Sequence, residues 1–318
     1  MGEFSFEERR LRRKLTFWRG FFLLILVGIG LSVWAAARAR PQPTASPHIA
    51  RIDISGVITD DRELLERIDS VAKNDAAKAL VVSISSPGGT TYGGESIYKA
   101  LRKLSAKKPV VADVRTLAAS AGYMIALGGD HIVAGETSIT GSIGVLMQYP
   151  QASELLDKIG IKVNEEKSAP LKAEPSPFHP ASDEAKAMIR ATIMDSYGWF
   201  VDLVAERRAL PRETVLPLAD GRILTGRQAL AAKLVDELGG DDEIRAWLET
   251  KGVDKALPMV EWKAPSKDGL LPLLTGMAEI FGLTAPEAGL SSISHLREIR
   301  SQNLFLDGLL SVWQVGRD

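Results

Sequence analysis

Cysteine is absent from the 318 residues, which excludes a disulfide framework, a thiolate metal site and a cysteine nucleophile. Histidine is scarce. His48, His131, His179 and His295 are the only imidazoles, and no two stand at the close spacing by which a helix presents paired metal ligands, so neither metal nor cofactor is expected. There is also no excess of one charge: 39 Lys and Arg face 40 Asp and Glu, for a formal net charge of −1 at pH 7. A nucleic-acid binder needs a strong basic surplus on its folded domain, and that class is set aside. No internal repeat is visible. What remains is an ordinary globular composition, 45% hydrophobic and 25% charged, enough for one large domain or two.

One long apolar run stands out. Gly20 to Ala37 carries no charge and is just long enough to cross a bilayer as a helix. Trp18 and Trp34 sit near its ends, where interfacial aromatics belong. Arg9, Arg10, Arg12, Arg13, Lys14 and Arg19 precede it and only Arg38 and Arg40 follow closely, so the positive-inside rule places the N-terminus in the cytoplasm and the rest beyond the membrane. A cleaved signal peptide is the alternative, because Ala35-Ala36-Ala37-Arg38-Ala39 contains small residues of the A-x-A kind. The organisation expected is a basic cytoplasmic segment (1–19), a transmembrane helix (20–37), a Pro-rich linker (38–47), a folded domain (48–262) and a helical tail (263–318) packed on the domain or on a neighbouring subunit.

Beyond the linker, short β-rich runs alternate with helical periodicity, the pattern of an α/β domain. Strands are predicted at Ile49–Ile54, Ala79–Ser83, Val110–Val114, His131–Ala134 and Ile143–Met147, with Lys162–Asn164 a further candidate. Helices are predicted at Asp61–Ala72, Gly94–Ser105, Ser120–Leu127, Ala152–Ile159 and Ser182–Arg208. The last carries an apolar face through Ile189, Ile193, Tyr197 and Phe200, suited to core or subunit contact. In the tail, Leu271–Phe281 is amphipathic and Leu304–Trp313 apolar.

Four constellations bear chemistry. Ser85-Ser86-Pro87-Gly88-Gly89-Thr90 follows a strand and precedes a helix, where glycines let backbone N–H groups turn toward a developing oxyanion; it also reads as a plain turn. It lacks the Lys-Ser/Thr of a phosphate loop. Ser120 lies among small residues at a helix start, where Ala121 and Gly122 offer N–H groups; alone, it reads more readily as a helix cap, and Ala118 stands where a G-x-S-x-G elbow has its first glycine. Ser142, in Thr140-Gly141-Ser142-Ile143-Gly144-Val145, is placed to hold an amine by a hydrogen bond, or merely to turn into a strand. Lys172 is a candidate base for Ser120, although a lone lysine in a stretch of mixed polarity ordinarily reads as a solvated surface charge. A lysine serves as base only when neutral, and lowering its pKa from about 10.4 to about 7–8 costs roughly 4 kcal/mol, which demands a desolvated site.

Taken together, SSPGG at 85–89, AASAGYMIALGGDHIVAGETSITGSIGV at 118–145, KAEPSPF at 172–178 and ADGRILTGRQALAAKLVDELGG at 219–240 resemble, in order, the signal peptide peptidase A family of membrane-anchored bacterial serine–lysine proteases. The resemblance covers most of residues 50–240. It implies a crotonase-like, Clp-protease-like domain of repeated ββα units and a serine endopeptidase without cofactor that degrades released signal peptides. It implies Ser120 as nucleophile, Lys172 as general base, Ser142 as the hydroxyl orienting the amine, and Gly88, Gly89 and Ala121 on the oxyanion and substrate side. Lys172 is preferred to Lys167 because the family's lysine is followed five residues later by a proline, here Pro177. Lys233 departs from the family, which usually has glycine before Leu-Val-Asp. Single-domain relatives form rings whose sites take the serine from one subunit and the lysine from the next, so a homo-oligomer, an octamer, is expected. Rival readings are a crotonase-like acyl-thioester enzyme, a serine–histidine–aspartate hydrolase using His179 or His295, and an inactive peptide-binding scaffold.

Overall fold

A computed structural model describes residues 14, 17–30, 46–263 and 310–312. They fall into two units, residues 14 and 17–30 in one and the remainder in the other. Within the predicted span Gly20–Ala37, residues 20–30 are helical and 31–37 lie outside the described residues; among the described residues no helix is long and apolar enough to cross a membrane.

The second unit grows from three strands whose residues are apolar on both faces. β1 (His48–Ile58), β2 (Ala77–Thr90) and β3 (Val110–Ala119) are joined by α1 (Arg62–Lys73) and α2 (Thr91–Ser105) and pair in parallel. Successive strand residues point to opposite faces. Ala50, Ile52, Leu80, Val82, Ala112 and Val114 therefore enter the larger core, and Ile49, Ala79, Val81 and Val111 a smaller one. Covering both faces is what parallel strands require, and it explains their nearly continuous hydrophobic sequence. α1 presents Leu64, Ile68 and Val71 to the larger core, and its first turn is held by Asp61, whose carboxylate accepts from the Leu64 N–H at 2.9 Å. Ile244 and Leu248 of α8 (Asp241–Thr250) close the other face.

On its outer edge β3 has two parallel neighbours in succession. β4 (His131–Ala134) pairs with Val111–Val114, and β5 (Ile139–Gly141) with Leu117–Ala119. The end of β3 thus follows a separate ladder, continued by antiparallel β6 (Ile223–Thr225). Between β3 and β4 lies α3 (Ala121–Ala126), and the chain then runs through α4 (Ser153–Lys158), α5 (Asp183–Arg208), α6 (Arg212–Val215), β6 and α7 (Gly226–Ala231). β7 (Glu237–Leu238) pairs β4, and β8 (Met259–Glu261) pairs β1.

The fold is the mixed α/β, parallel-sheet, Clp-protease-like class expected, but β1, β2 and β3 alternate singly with helices rather than in repeated ββα units, and local corrections follow. The strand expected at Ile143–Met147 lies earlier, at Ile139–Gly141, because Ser142 takes φ +50° and breaks the ladder; of the later run only Leu146 forms a bridge. Lys162–Asn164 is exposed and is not a strand. The Gly88-Gly89 pair is no turn: β2 continues through it to Thr90, in register with Val57 and Ile58 of β1. Of the tail expected to be helical, only 263 and 310–312 are described, and Leu310–Val312 forms a strand, β9, antiparallel to Gly88–Thr90.

Candidate active site

Ser120 joins the end of β3 to α3. On one side of it the β3 ladder runs beside β2, with Ala118 opposite Ser86; on the other the Ser120 N–H donates to the Gly141 carbonyl at 2.8 Å. Caught between the two, Ser120 adopts φ 57° and ψ −117°. This backbone is disfavoured for any residue with a Cβ, at a cost of about 1–3 kcal/mol, and such strain concentrates where a side chain must be aimed. Although Ser120 stands at the helix cap position, its side chain makes no capping hydrogen bond. The cap reading therefore does not account for this serine. Close packing does account for its small neighbours: a Cβ on Gly122 would meet the Ser86 carbonyl oxygen at 3.0 Å.

Ser120, only 1% exposed, lies at the floor of a cavity of about 410 Å³ that Ser142 also lines. Ser142 is set there by the Gly141 turn at φ +85° and by its own N–H, which donates to Arg222 O at 2.7 Å across the β5–β6 ladder. The walls are mostly apolar: Ile143, Val145 and Leu146 from the stretch after β5, Ile193, Met194 and Tyr197 from α5, and Ala219. The Tyr197 hydroxyl donates to the Ala219 carbonyl at 2.8 Å, binding α5 to the opposite wall. Asp220 supplies the charge at the rim; hydrogen bonds from the Arg222 side chain and backbone hold its carboxyl down to about 2, so it stays ionised.

Gly88 and Gly89 lie beside this cavity rather than on its walls. The Gly88 N–H donates to Ser86 Oγ at 3.1 Å, and Ser86 Oγ in turn donates to the Gly56 carbonyl at 2.6 Å. At Gly89 the β1 backbone comes so close that a Cβ would sit 1.9 Å from Ile58 O. Extended backbone occupies the outer edge of this strand. β9 pairs with Gly88–Thr90 on one side, and on the other Leu310 exchanges both backbone hydrogen bonds with Leu146, at 2.9 and 3.0 Å. Since Leu146 is also a cavity wall, a chain laid along this edge passes directly by the site.

Lys172 does not line this cavity. It lies exposed on an irregular segment between α4 and α5, not on the cavity wall, and among the described residues no side chain pairs with it. Lys167 is different: its ammonium sits 2.8 Å from Glu165 and 2.7 Å from Glu174, and the hydrogen bonds it donates to these carboxylates push its pKa up. A lysine so held stays charged and is no base, an independent reason to prefer Lys172. His179 belongs to the same cluster and not to the cavity, and His295 lies outside the described residues.

Residues 102–254 match the model of peptidase family S49, and residues 51–140 that of Clp protease. Over 248 residues the chain is 39% identical to the Synechocystis protein named "Putative protease slr0021", an alignment covering 74% of this chain and 88% of that one. The chain belongs to peptidase family S49.

Other relatives of this S49 peptidase include the chloroplastic serine protease SPPA of Arabidopsis thaliana, 30% identical over 264 residues, 80% of this chain and 38% of that one. Protease 4 of Haemophilus influenzae is 30% identical over 205 residues, 61% of this chain and 33% of that one. A solved structure, the 1510-N membrane-bound stomatin-specific protease, aligns with 70% of this chain and 100% of its own at 17% identity, with a TM-score of 0.48. As a member of this family the protein is a serine endopeptidase.

Sequence reasoning missed most of the cavity wall of this peptidase. Ile193 and Tyr197 were legible as an apolar helix face, but nothing in that periodicity separates a pocket wall from a core contact. Asp220 and Gly221 carry no signal except their place in the Ala219–Arg222 segment.

Proposed function

We propose that this S49 peptidase is held in the membrane by residues 20–37 and cleaves released signal peptides and similar apolar peptides on the extracytoplasmic side. Ser120 is the nucleophile and Lys172 the base. The observation that carries this reading is Ser120 itself: a strained strand-to-helix serine that caps nothing and lies at the floor of an apolar cavity. The substrate runs extended between Gly88–Thr90 and Leu146, along the edge where β9 already forms backbone ladders on both sides. Strand addition binds any extended peptide through its backbone, and the apolar walls select apolar side chains.

The amine of Lys172 takes the proton of Ser120 Oγ as the oxygen attacks the peptide carbonyl. N–H groups of the Gly89 region and Ala121 hold the oxyanion, while the N–H of Gly88 is already given to Ser86. The protonated amine passes its proton to the leaving nitrogen, the peptide bond breaks, and the neutral amine then activates a water that releases the acyl group from Ser120. Ser142 holds the amine in line. Exposure of Lys172 on the single chain suits a site completed by a neighbouring subunit, which would desolvate the amine and bring it to Ser120. A ring of this chain, an octamer as in single-domain relatives, is the assembly we assign.

The test uses full-length protein in detergent with synthetic signal peptides. Wild type is expected to cleave them, and Ser120→Ala and Lys172→Met each to lose on the order of 10³-fold or more in kcat with the fold intact. His179→Ala should keep the same mechanism. Wild-type turnover by either of the first two variants overturns the assignment.

A further inference from the structure

Four titratable side chains gather around the loop that carries Lys172. Lys167 Nζ lies 2.8 Å from Glu165 Oε2 and 2.7 Å from Glu174 Oε1. His179 Nε2 lies 3.1 Å from the same Glu165 oxygen and 3.3 Å from Glu174 Oε1, and its Nδ1 meets the Pro180 carbonyl at 3.2 Å. A carbonyl only accepts, so Nδ1 donates to it, while Nε2 faces both carboxylates and, at 3.5 Å, the Lys167 ammonium. The Pro180 carbonyl and Glu165 accordingly raise the pKa of this imidazole. Ser176 completes the cluster: its Oγ donates to Glu165 Oε1 at 3.0 Å and its N–H to Glu174 Oε2 at 3.3 Å.

These contacts form a clasp. Residues 165–167 are one arm and 174–179 the other, and between them Lys172 sits on a short loop turned by bonds from its own N–H to Ala169 O (3.0 Å) and from the Glu174 N–H to Leu171 O (3.4 Å). The second arm is fastened to the start of α4 by the Ala152 N–H, which donates to Pro177 O at 2.7 Å. Among the described residues no charged group of another element pairs with any of the four. Glu174 is two residues from Lys172 and its side chain is 5% exposed. Two residues span at most about 7 Å of backbone, so a carboxylate released at that position is within reach of the Lys172 amine.

We propose that Glu165, Lys167, Glu174 and His179 are positioning residues for Lys172: they close the base of its loop and keep both carboxylates engaged, so that neither pairs with the Lys172 amine. The proposal rests on Lys172 being the base. An opposite charge a few ångströms away favours the ammonium form, and an amine held as ammonium takes no proton from serine. Lys167 and His179 hold both carboxylates of the clasp, which leaves the proposed catalytic amine without a counter-ion.

The experiment is the pH dependence of kcat/KM for a quenched fluorescent apolar peptide, with full-length protein in detergent. Its acidic limb reports deprotonation of the base in the free enzyme. Lys167→Met leaves Glu165 and Glu174 to share His179, so that one carboxylate is in excess, and is expected to move that limb to higher pH by about 1 unit, roughly tenfold in rate on the limb. Lys167→Met with Glu174→Gln should bring it back, since no free carboxylate remains, and Lys167→Arg should keep it in place. A Lys167→Met enzyme whose kcat falls with the limb unmoved, or a double variant shifted as far as the single one, overturns the proposal and leaves a scaffold. Should Lys167→Met fail to fold by circular dichroism, the near-isosteric Glu174→Gln decides: the limb stays or moves to lower pH, and a move to higher pH overturns the idea. Failure of the base assignment looks different, because Lys172→Met would then keep wild-type turnover.

Discussion

At Ser120 two roles compete for one hydroxyl, and the backbone decides between them. A capping serine sits in extended conformation and accepts from its helix, as Ser182 does from the Ala185 N–H at 3.1 Å. Ser120 does neither. Its small neighbours were readable in the chain, but strain was not, because φ +57° results from a β3 end held between β2 and β5. Gly89 illustrates the same limit. Its chemistry as a residue without Cβ was apparent, whereas the reason, the Ile58 carbonyl packed against it, depends on a strand 31 residues earlier in sequence. Gly89→Ala is therefore expected to force β1 and β2 apart and to destabilise the domain by about 3 kcal/mol, measured by thermal unfolding. A variant as stable as wild type would mean that the two backbones are not in contact.

At the scale of elements, the five helices expected were placed within a few residues, while α6, α7, α8 and the short strands of the outer ladder were not. α1 and α5 announce themselves through periodic apolar residues and capping Asp61 and Ser182, both local signals. β5 is three residues long and exists only because β3 and β6 lie on either side. The end of α7 explains a departure noted in the chain. Lys233, where the family usually has glycine, takes φ +59°, and the Leu234 N–H closes onto Ala229 O at 2.8 Å, a left-handed helix stop. The left-handed form costs a lysine about 1–2 kcal/mol, against about 0.5–1 kcal/mol of extra backbone entropy lost by glycine. Lys233→Gly should thus stabilise by about 0.5 kcal/mol or slightly more, seen as a raised unfolding midpoint with unchanged peptide cleavage. Destabilisation would show that the Lys233 side chain contributes more than its backbone strain removes.

For the whole molecule, the proposed mechanism makes assembly part of the chemistry, because Ser120 lies in the cavity while exposed Lys172 does not line it. Co-expressing Ser120→Ala chains with Lys172→Ala chains tests this. If neighbouring subunits share each site, random mixing restores both groups at about a quarter of sites, and activity returns where neither variant alone has any. No recovery in verified mixed oligomers would place both groups in one chain.

Primary structure was sufficient for the alternation of strands and helices, the apolar run at 20–37, the exclusion of thiol and disulfide chemistry, and the short list containing Ser120 and Lys172. Each depends on residue type and near-neighbour spacing, which the chain carries openly. Folding alone settled the strain at Ser120, the strand through Gly88-Gly89, the cavity wall from α5 and the clasp around Lys172. Those arise from pairings between segments tens of residues apart, whose geometry no local pattern encodes.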